Sequence, residues 1–258
     1  MPKTQLNVTL LSHTPDPVTA IALAGRLCYS GSGILSLRED VRGRAPQFVE
    51  KLLSLGHLSP FEHASFTFGV EGVSRALLAQ ITRHRIASFS VQSQRYVKQE
   101  GGNYVVPPSV AALGDAAVAR FQEQMDTAWG FYQEWLAAGL PAEDARFVLP
   151  NAAETRMVFT MNARELMHFF SLRCCNRAQW EIRRLAWCML GLVRREAPEL
   201  FASAGPACVA GACSEGRMSC GKQDAVRARS AALAACAKEG ADDAELLAWA
   251  LAEINNDN

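Results

Sequence analysis

Two short segments that alternate apolar and polar residues constrain the fold of this chain more than any other feature. They are SFTFGV at residues 65–70 and RMVFTM at 156–161, where Met157, Phe159 and Met161 occupy every second position. A period of two predicts β-strands with one buried face. Each segment runs into a helix-start signal, Ser74 after the first, and Asn162 followed three residues later by Glu165 after the second. The chain therefore predicts strands that pass directly into helices.

Most of the remaining sequence has the apolar spacing of amphipathic helices. Further strands are expected near residues 6–10 and 104–106, and predicted helices cover residues 17–31, 46–55, 75–84, 110–138, 163–173 and 180–198. Strands and helices mixed in this order predict an α+β fold with an antiparallel-type sheet. We expect one domain over residues 1–200, followed at 201–258 by a cysteine-containing, alanine-rich helical extension.

Composition narrows the class of protein. The chain has 258 residues, 49% of them hydrophobic, and a formal net charge of zero. A nucleic-acid-binding domain usually carries a basic excess, so that class is disfavoured. No apolar run is long enough to span a bilayer, and the first residues lack the features of a signal peptide. We therefore expect a cytoplasmic protein with neither nucleic acid nor membrane as partner.

Three of the eight cysteines lie close together, in the segment GPACVAGACSEGRMSCG. Cys208, Cys213 and Cys220 do not have CxxC spacing, and only three potential ligands are local. Reduced thiols in a glycine-rich loop are the preferred interpretation, and no metal is predicted. A cysteine-metal protein stays open as an alternative function.

A dense polar cluster occupies residues 83–96, RHRIASFSVQSQRY. Arginine forks match phosphate oxygens, and serine hydroxyls and glutamine amides complete such a cradle. The cluster therefore predicts an anion-binding site. A solvated helix end followed by a polar loop explains the same residues, and a phosphate- or nucleic-acid-binding module is a second functional alternative.

This cluster resembles the signature of the flavin-dependent thymidylate synthases, an RHR triplet followed by a serine and then SxRY. Three more segments resemble the family in the same order: HLSPFEHASFTF at 57–68, ARFVLP at 145–150 and MNARELMHFFSLRCCNRAQWEIR at 161–183. The chain departs from the family where Ser90 and Val91 stand in place of the usual Asn-Glu.

The resemblance implies an enzyme that methylates dUMP to dTMP. It further implies that 5,10-methylenetetrahydrofolate donates the carbon, and that NADPH reduces a bound FAD, which delivers a hydride. The family fold is α+β, and its homotetramers share active sites between subunits.

The resemblance also implies roles for individual residues. Arg173 matches the arginine that stabilises negative charge on the uracil ring, although a helix-terminal arginine that binds carbonyl groups would be the default reading of this position without the motif. The residues implied for dUMP are Gln80, Ile81, Thr82, Arg83, Val91, Gln92, Ser93, Gln94, Arg95, Arg146 and Arg173. Those implied for FAD are His57, Ser59, Glu62, Arg83, His84, Arg85, Ile86, Val91, Asn162, Ala163, Arg164 and His168.

Overall fold

The computed structural model describes residues 4–99 and 101–255, with side chains described as far as residue 252. Its sheet has four strands in an antiparallel arrangement, which confirms the predicted α+β class. The strands lie in the order β1-β2-β4-β3 and span β1 Asn7–His13, β2 Ser65–Ser74, β3 Ala87–Val91 and β4 Glu154–Asn162.

Helices make up most of the other described residues. They are α1 Pro17–Leu27, α2 Ile34–Val41, α3 Ala45–Ser54, α4 Arg75–Ile81, α5 Pro108–Ala111, α6 Asp115–Ala137, α7 Ala142–Ala145, α8 Ala163–Arg173, α9 Trp180–Glu196, α10 Pro198–Phe201, α11 Ala207–Ala210, α12 Gln223–Lys238 and α13 Asp243–Asn255. Short 3₁₀ turns occupy Ser59–His63, Arg146–Val148 and Gly216–Met218.

The chain divides into two compact units. Of the described residues, unit 1 comprises 4–7, 69–83, 89–99 and 101–158, and unit 2 comprises 8–68, 84–88 and 159–255. The predicted division at residue 200 stays a prediction. Within unit 2, however, the tail helices α12 and α13 pack on α9.

Two strand-to-helix junctions form as their sequences predict. The Ser74 hydroxyl accepts a hydrogen bond from the Leu77 amide at 3.1 Å, which caps α4. The Asn162 side chain accepts one from the Glu165 amide at 2.8 Å, which caps α8. Both caps satisfy backbone N–H groups that the first helical turn leaves unpaired. Because β2 and β4 end at these caps, the side chains just beyond them have fixed starting positions.

Three predicted elements differ from the structure. The first helix ends at Leu27 rather than near Gly31, and the separate helix α2 follows it. Residues 104–106 form no strand, and Tyr104 makes only an isolated bridge to Ala153. The polar stretch after α4 contains the strand β3, which was expected to be a loop. Its sequence, ASFSV, does alternate apolar residues with serines, and the side chains alternate between half-buried and exposed, but this pattern is only five residues long and lies within the polar cluster.

The helix α9 is buried on nearly all sides in unit 2. Leu185, Trp187 and Leu190 are each fully buried within the chain. The sequence favours the apolar faces of the helices near residues 121–136 and 180–192 as places where subunits meet. For the second helix this prediction is wrong, because α8, α12 and α13 of the same unit cover its apolar residues. The tail helices α12 and α13 therefore form part of the hydrophobic core around α9.

A buried arginine fastens the tail to α9. The Arg194 guanidinium donates to the carbonyls of Phe201, Ala204 and Ser230 at 3.1, 2.9 and 2.7 Å, and to the Ser230 hydroxyl at 2.8 Å. Only 3% of Arg194 is exposed. A buried charge is tolerated when hydrogen bonds replace its hydration, and here the tail supplies most of the acceptors.

None of the helices in the described part of the chain combines the length and the apolar character that crossing a membrane requires.

We predict that Gly72→Ala destabilises unit 1 much more than Gly139→Ala. Gly72 has φ +71°, and a Cβ there would lie 1.8 Å from the Gln5 carbonyl oxygen. Gly139 has φ +88°, and a Cβ would meet nothing within 4 Å. Gly139→Ala should therefore lower the free energy of unfolding only by what a left-handed conformation costs a non-glycine residue, about 1–2 kcal/mol. Urea unfolding measures both free energies, and equal losses would contradict the predicted clash.

Candidate functional site

The main candidate pocket of unit 2 lies at the start of α8 and has a volume of about 620 Å³. Its walls combine apolar side chains with hydrogen-bonding groups. They are Leu58, Glu62, Ile86, Asn162, Arg164, Glu165, Met167, His168 and Ser171. This volume and mixture are typical of cofactor and small-molecule sites.

An exposed ion pair stands at the edge of this pocket. The Arg164 guanidinium donates to the Glu62 carboxylate at 2.5 Å, and both side chains are about half exposed. Exposed pairs of this kind contribute about 0–1 kcal/mol to stability. A ligand can therefore take over either partner at little energetic cost.

A hydrogen-bonded chain of three polar side chains, two buried and one half-buried, runs beside the pocket. Glu165 and His84 are 7% and 5% exposed, and the Glu165 carboxylate lies 2.8 Å from His84 Nδ1. Arg173 Nε donates to His84 Nε2 at 3.1 Å. Because Nε2 accepts this hydrogen bond, the ring proton must be on Nδ1, where it is donated to Glu165. The hydrogen bonds therefore connect Glu165 to His84 and His84 to Arg173.

Burial keeps His84 neutral. Loss of hydration lowers the pKa of His84, and the hydrogen bond to Glu165 acts in the opposite direction, while the positive charge of Arg173 lowers the pKa further. A neutral imidazole can accept from Arg173, whereas an imidazolium cannot. The position of the Arg173 guanidinium therefore depends on the protonation state of His84.

His168 brings a second ring to the same place. Its ring centroid lies 6.0 Å from that of His84, in an edge-on arrangement. Among the described residues, His84, Glu165 and His168 form the one group whose potential metal-ligand atoms all lie within 4.8 Å of one another. Both ring nitrogens of His84 already have hydrogen-bond partners, so the cluster is explained without an ion. The prediction of no catalytic metal remains a prediction.

Unit 1 contains a separate cationic cluster, which we call the Arg95 cluster: Ser93, Arg95, Glu143 and Arg146. Arg95 Nε donates to the Glu143 carboxylate at 2.7 Å, and Arg146 Nε donates to the Glu143 backbone carbonyl at 3.0 Å. The Ser93 hydroxyl accepts from the Arg95 amide at 3.1 Å. Arg95 thus contacts the Glu143 carboxylate, Arg146 contacts the backbone carbonyl of the same residue, and Ser93 contacts the Arg95 backbone. Two arginines and a hydroxyl brought together in this way also suit a phosphate group.

The glutamines beside this cluster differ in their contacts. Gln94 is 8% exposed, and its side-chain Nε2 has no hydrogen-bond acceptor. A buried donor without an acceptor is costly, so this amide is a candidate for binding a ligand oxygen. Gln92 instead belongs to the backbone scaffold, since its amide donates to the Arg156 carbonyl at 2.9 Å and its carbonyl accepts from Arg75 at 3.1 Å.

The other expected site residues lie outside these contacts. The expected flavin residues His57, Ser59, Arg85 and Ala163 do not line the pocket, and Ala163 is fully buried. His57 instead lies 3.4 Å from the Tyr29 hydroxyl. Among the expected dUMP residues of unit 1, the Ile81 side chain is buried in the core, Thr82 and Arg83 are exposed, Val91 is half-buried, and Gln80 hydrogen-bonds the Ala76 carbonyl.

Sequence reasoning missed two residues of these sites as contact partners. The sequence identifies Glu165 only as part of the helix cap and contains no signal for Glu143. Their partners are 81 and 48 residues away in the chain, so no local pattern reveals them. The one available signal for Glu165 is its position on the first turn of α8, one residue after Arg164.

Three comparisons with known proteins agree with one another. The sequence profile of the family described as "Thymidylate synthase complementing protein" matches residues 9–199. The flavin-dependent thymidylate synthase of Geobacter sulfurreducens is 55% identical over 225 residues, covering 86% of this chain and 97% of that protein. The Clostridium tetani protein of the same name is 47% identical over 234 residues, covering 84% and 94%.

A solved structure is similar as well. The crystal structure of a UMP/dUMP methylase, PolB from Streptomyces cacaoi, bound with 5-Br dUMP, superimposes with a TM-score of 0.67 at 26% identity. The match covers 78% of this chain and 94% of that one.

We predict that His84 makes stability depend on pH. Its folded pKa lies below the unfolded value of about 6.5, so the unfolded state binds the proton first as pH falls. The free energy of unfolding should therefore decrease below pH 6.5, by up to about 1.4 kcal/mol per pH unit from this group. His84→Gln should remove this component, and the exposed control His63→Gln should keep it. Denaturant unfolding at several pH values measures the difference, and an unchanged slope in His84→Gln would contradict the assignment.

Proposed function

The chain belongs to the flavin-dependent thymidylate synthase family, and we propose that its reaction is the methylation of dUMP to dTMP. The family match over residues 9–199 carries this conclusion. The 5-Br dUMP-bound methylase neighbour supports the same substrate. We therefore prefer this enzyme function to the two alternative functions, a nucleic-acid-binding module and a cysteine-metal protein.

The pocket at the start of α8 fits a flavin. Apolar side chains of Leu58, Ile86 and Met167 suit the faces of an aromatic ring system, and Asn162 and Arg164 suit its polar edge. Bound flavin supplies a carrier that takes up and releases a hydride. We propose that it is held as FAD by the five expected residues on these walls: Glu62, Ile86, Asn162, Arg164 and His168. NADPH as reductant and 5,10-methylenetetrahydrofolate as carbon donor are further parts of this proposal.

Arg173 is the proposed catalytic residue. Attack by uracil C5 requires negative charge to spread over N3, C4 and O4, and a fixed guanidinium beside that edge stabilises the charge. His84 takes one of the five guanidinium N–H groups, which fixes the plane of the fork. A guanidinium keeps its proton at all relevant pH values, so Arg173 acts by electrostatics and orientation.

The Arg95 cluster is the proposed site for the dUMP phosphate. Its support is that Arg95 already binds an anionic group, the Glu143 carboxylate, while Arg146 donates to the backbone carbonyl of Glu143 and Ser93 accepts from the Arg95 amide. Gln94 adds a buried donor that has no acceptor. A phosphate that displaced Glu143 would gain two arginines and would leave the carboxylate in solvent, where hydration satisfies it.

A cysteine nucleophile is disfavoured in this enzyme. Cys174, next to Arg173, is fully buried, and burial raises the pKa of its thiol well above the ordinary value. Burial also raises the pKa of Cys175. Thiols with raised pKa values are poor nucleophiles because little thiolate is present.

We further propose a homotetramer in the cytoplasm. The support for assembly is an exposed apolar strip on α6, where Phe131 and Trp135 are 51% and 48% exposed and lie one turn apart. The cytoplasmic location rests on the sequence expectation alone.

We predict that the purified protein is yellow and releases FAD when denatured. It should oxidise NADPH faster when dUMP is present and should form dTMP when methylenetetrahydrofolate is added. Absorption spectroscopy, chromatography of the released cofactor and dTMP assay measure these outcomes. Protein that remains colourless after incubation with FAD would contradict the proposed function.

We predict that Arg173→Ala lowers turnover strongly while flavin retention stays near wild type. The expected loss is about 2.7–4 kcal/mol of transition-state stabilisation, the magnitude of one oxyanion donor. Arg173→Lys should recover little, because a point charge lacks the planar fork. Arg120→Ala, an exposed arginine on α6, is the matched control. Single-turnover dTMP formation near the wild-type rate in Arg173→Ala would remove this residue from the mechanism.

We predict that Trp135→Glu yields smaller assemblies, because a charge within a subunit interface has no partner. Gln133→Glu adds the same charge at another exposed position of α6 and should leave the assembly unchanged. Sedimentation velocity gives both masses. An unchanged mass for Trp135→Glu would exclude this strip from the interface.

A further inference from the structure

Arg75, the first residue of α4, is tied to two other segments of unit 1. Its backbone N–H donates to the Ala153 carbonyl at 3.0 Å, and its guanidinium Nη2 donates to the Gln92 carbonyl at 3.1 Å. Ser74 caps the same helix through the Leu77 amide, which fixes the backbone position of Arg75. The family resemblance implies no role for this half-buried arginine, so its contacts need a separate explanation.

The Gln92 backbone is held through both of its hydrogen-bonding groups. Its N–H donates to the Arg156 carbonyl on β4 at 2.9 Å, while its carbonyl accepts from Arg75. Gln92 directly precedes Ser93, the first residue of the Arg95 cluster. The hydrogen bond from Arg75 therefore helps to fix the chain that carries Ser93 and Arg95.

The Arg75 guanidinium also has a donor that is not used. Its Nε is buried and has no hydrogen-bond partner among the described residues. The structural arginine of unit 2, Arg194, instead donates from Nε and from both terminal nitrogens. A buried N–H without an acceptor costs free energy, so Arg75 is better explained by a ligand acceptor than by a structural role alone. Nε and Nη2 are bonded to the same carbon, so the unused donor lies beside the contact with Gln92.

We propose that Arg75 is a further dUMP-binding residue, which holds residues 93–95 in place through Nη2 and donates from Nε to a phosphate oxygen. This inference rests on the proposed phosphate site at the Arg95 cluster. A phosphate monoester is close to a dianion at neutral pH and offers several acceptor oxygens, so it can bind Arg75 as well as Arg95 and Arg146.

The electrostatics of Arg75 are consistent with this role. Loss of hydration lowers the pKa of Arg75, and the positive charge of Arg146 lowers it further. Both effects disfavour the charged guanidinium, and a bound dianion would compensate for them. Arg75 should therefore make affinity depend on the phosphate group of the nucleotide and not on the uracil base.

Arg75→Met tests the proposal, because methionine is also unbranched but lacks the donors and the charge. Isothermal titration calorimetry of FAD-loaded protein should show the Kd of dUMP rising by about tenfold or more, the effect expected when a charge-assisted hydrogen bond is lost. The Kd of deoxyuridine, which has no phosphate, should stay near the wild-type value. Arg156→Met is the matched control, since it removes an exposed arginine while the backbone carbonyl that binds Gln92 remains. This control should bind both ligands as the wild type does.

Arg75→Lys provides a second variant in case Arg75→Met does not fold, which circular dichroism reports. Lysine can still donate to the Gln92 carbonyl but lacks the planar fork, so it should weaken dUMP binding without changing the affinity for deoxyuridine. Unchanged dUMP affinity in the folded variants would overturn the role of Arg75, and so would equal losses for dUMP and deoxyuridine. Wild-type protein that binds neither ligand would instead overturn the proposed function, and this inference with it.

Discussion

The hydrogen-bonded chain from Glu165 through His84 to Arg173 is the constraint on which the proposed chemistry depends. A guanidinium at the end of a helix normally samples many rotamers, and holding it costs side-chain entropy. Here a buried imidazole in a single tautomer accepts from Nε, and a buried carboxylate fixes that tautomer. The arrangement is neutral overall, with one negative group, one neutral group and one positive group. It can therefore be buried without the penalty of an unpaired charge.

This chain also explains how the RHR triplet is used. Arg83 and Arg85 are exposed while His84 between them is buried, so the middle residue serves the interior and its neighbours face solvent. The sequence marks all three as polar and gives no reason to separate them. In this triplet His84 therefore has a structural role, whereas Arg83 and Arg85 can contact ligands.

Local signals were sufficient for much of the fold. Ser74 and Asn162 mark helix starts through contacts three residues away, and the strands before them alternate because one face is buried. The strand β3 carries the same alternation, since Ala87, Phe89 and Val91 are separated by serines, but its five residues lie within a polar cluster whose arginines and glutamines dominate the local pattern. The site partners Glu165 and Glu143 escaped for a different reason: their contacts join distant parts of the chain, and a carboxylate has the same local pattern wherever its partner lies.

The buried hydrogen bonds of Arg194 limit how far the C-terminal part of this chain can be shortened. Arg194 is a residue of α9, but its guanidinium donates to carbonyl groups that lie later in the chain, those of Phe201, Ala204 and Ser230. A protein cut before Ser230 would keep the buried Arg194 guanidinium but lose its hydrogen bonds to Ser230. Removing a partner of a buried charge typically costs about 3–5 kcal/mol of stability. Protease trimming of the tail would thus threaten α9 itself. A shortened homologue would need an apolar or smaller residue at position 194, so tail length and the identity of that single side chain must change together.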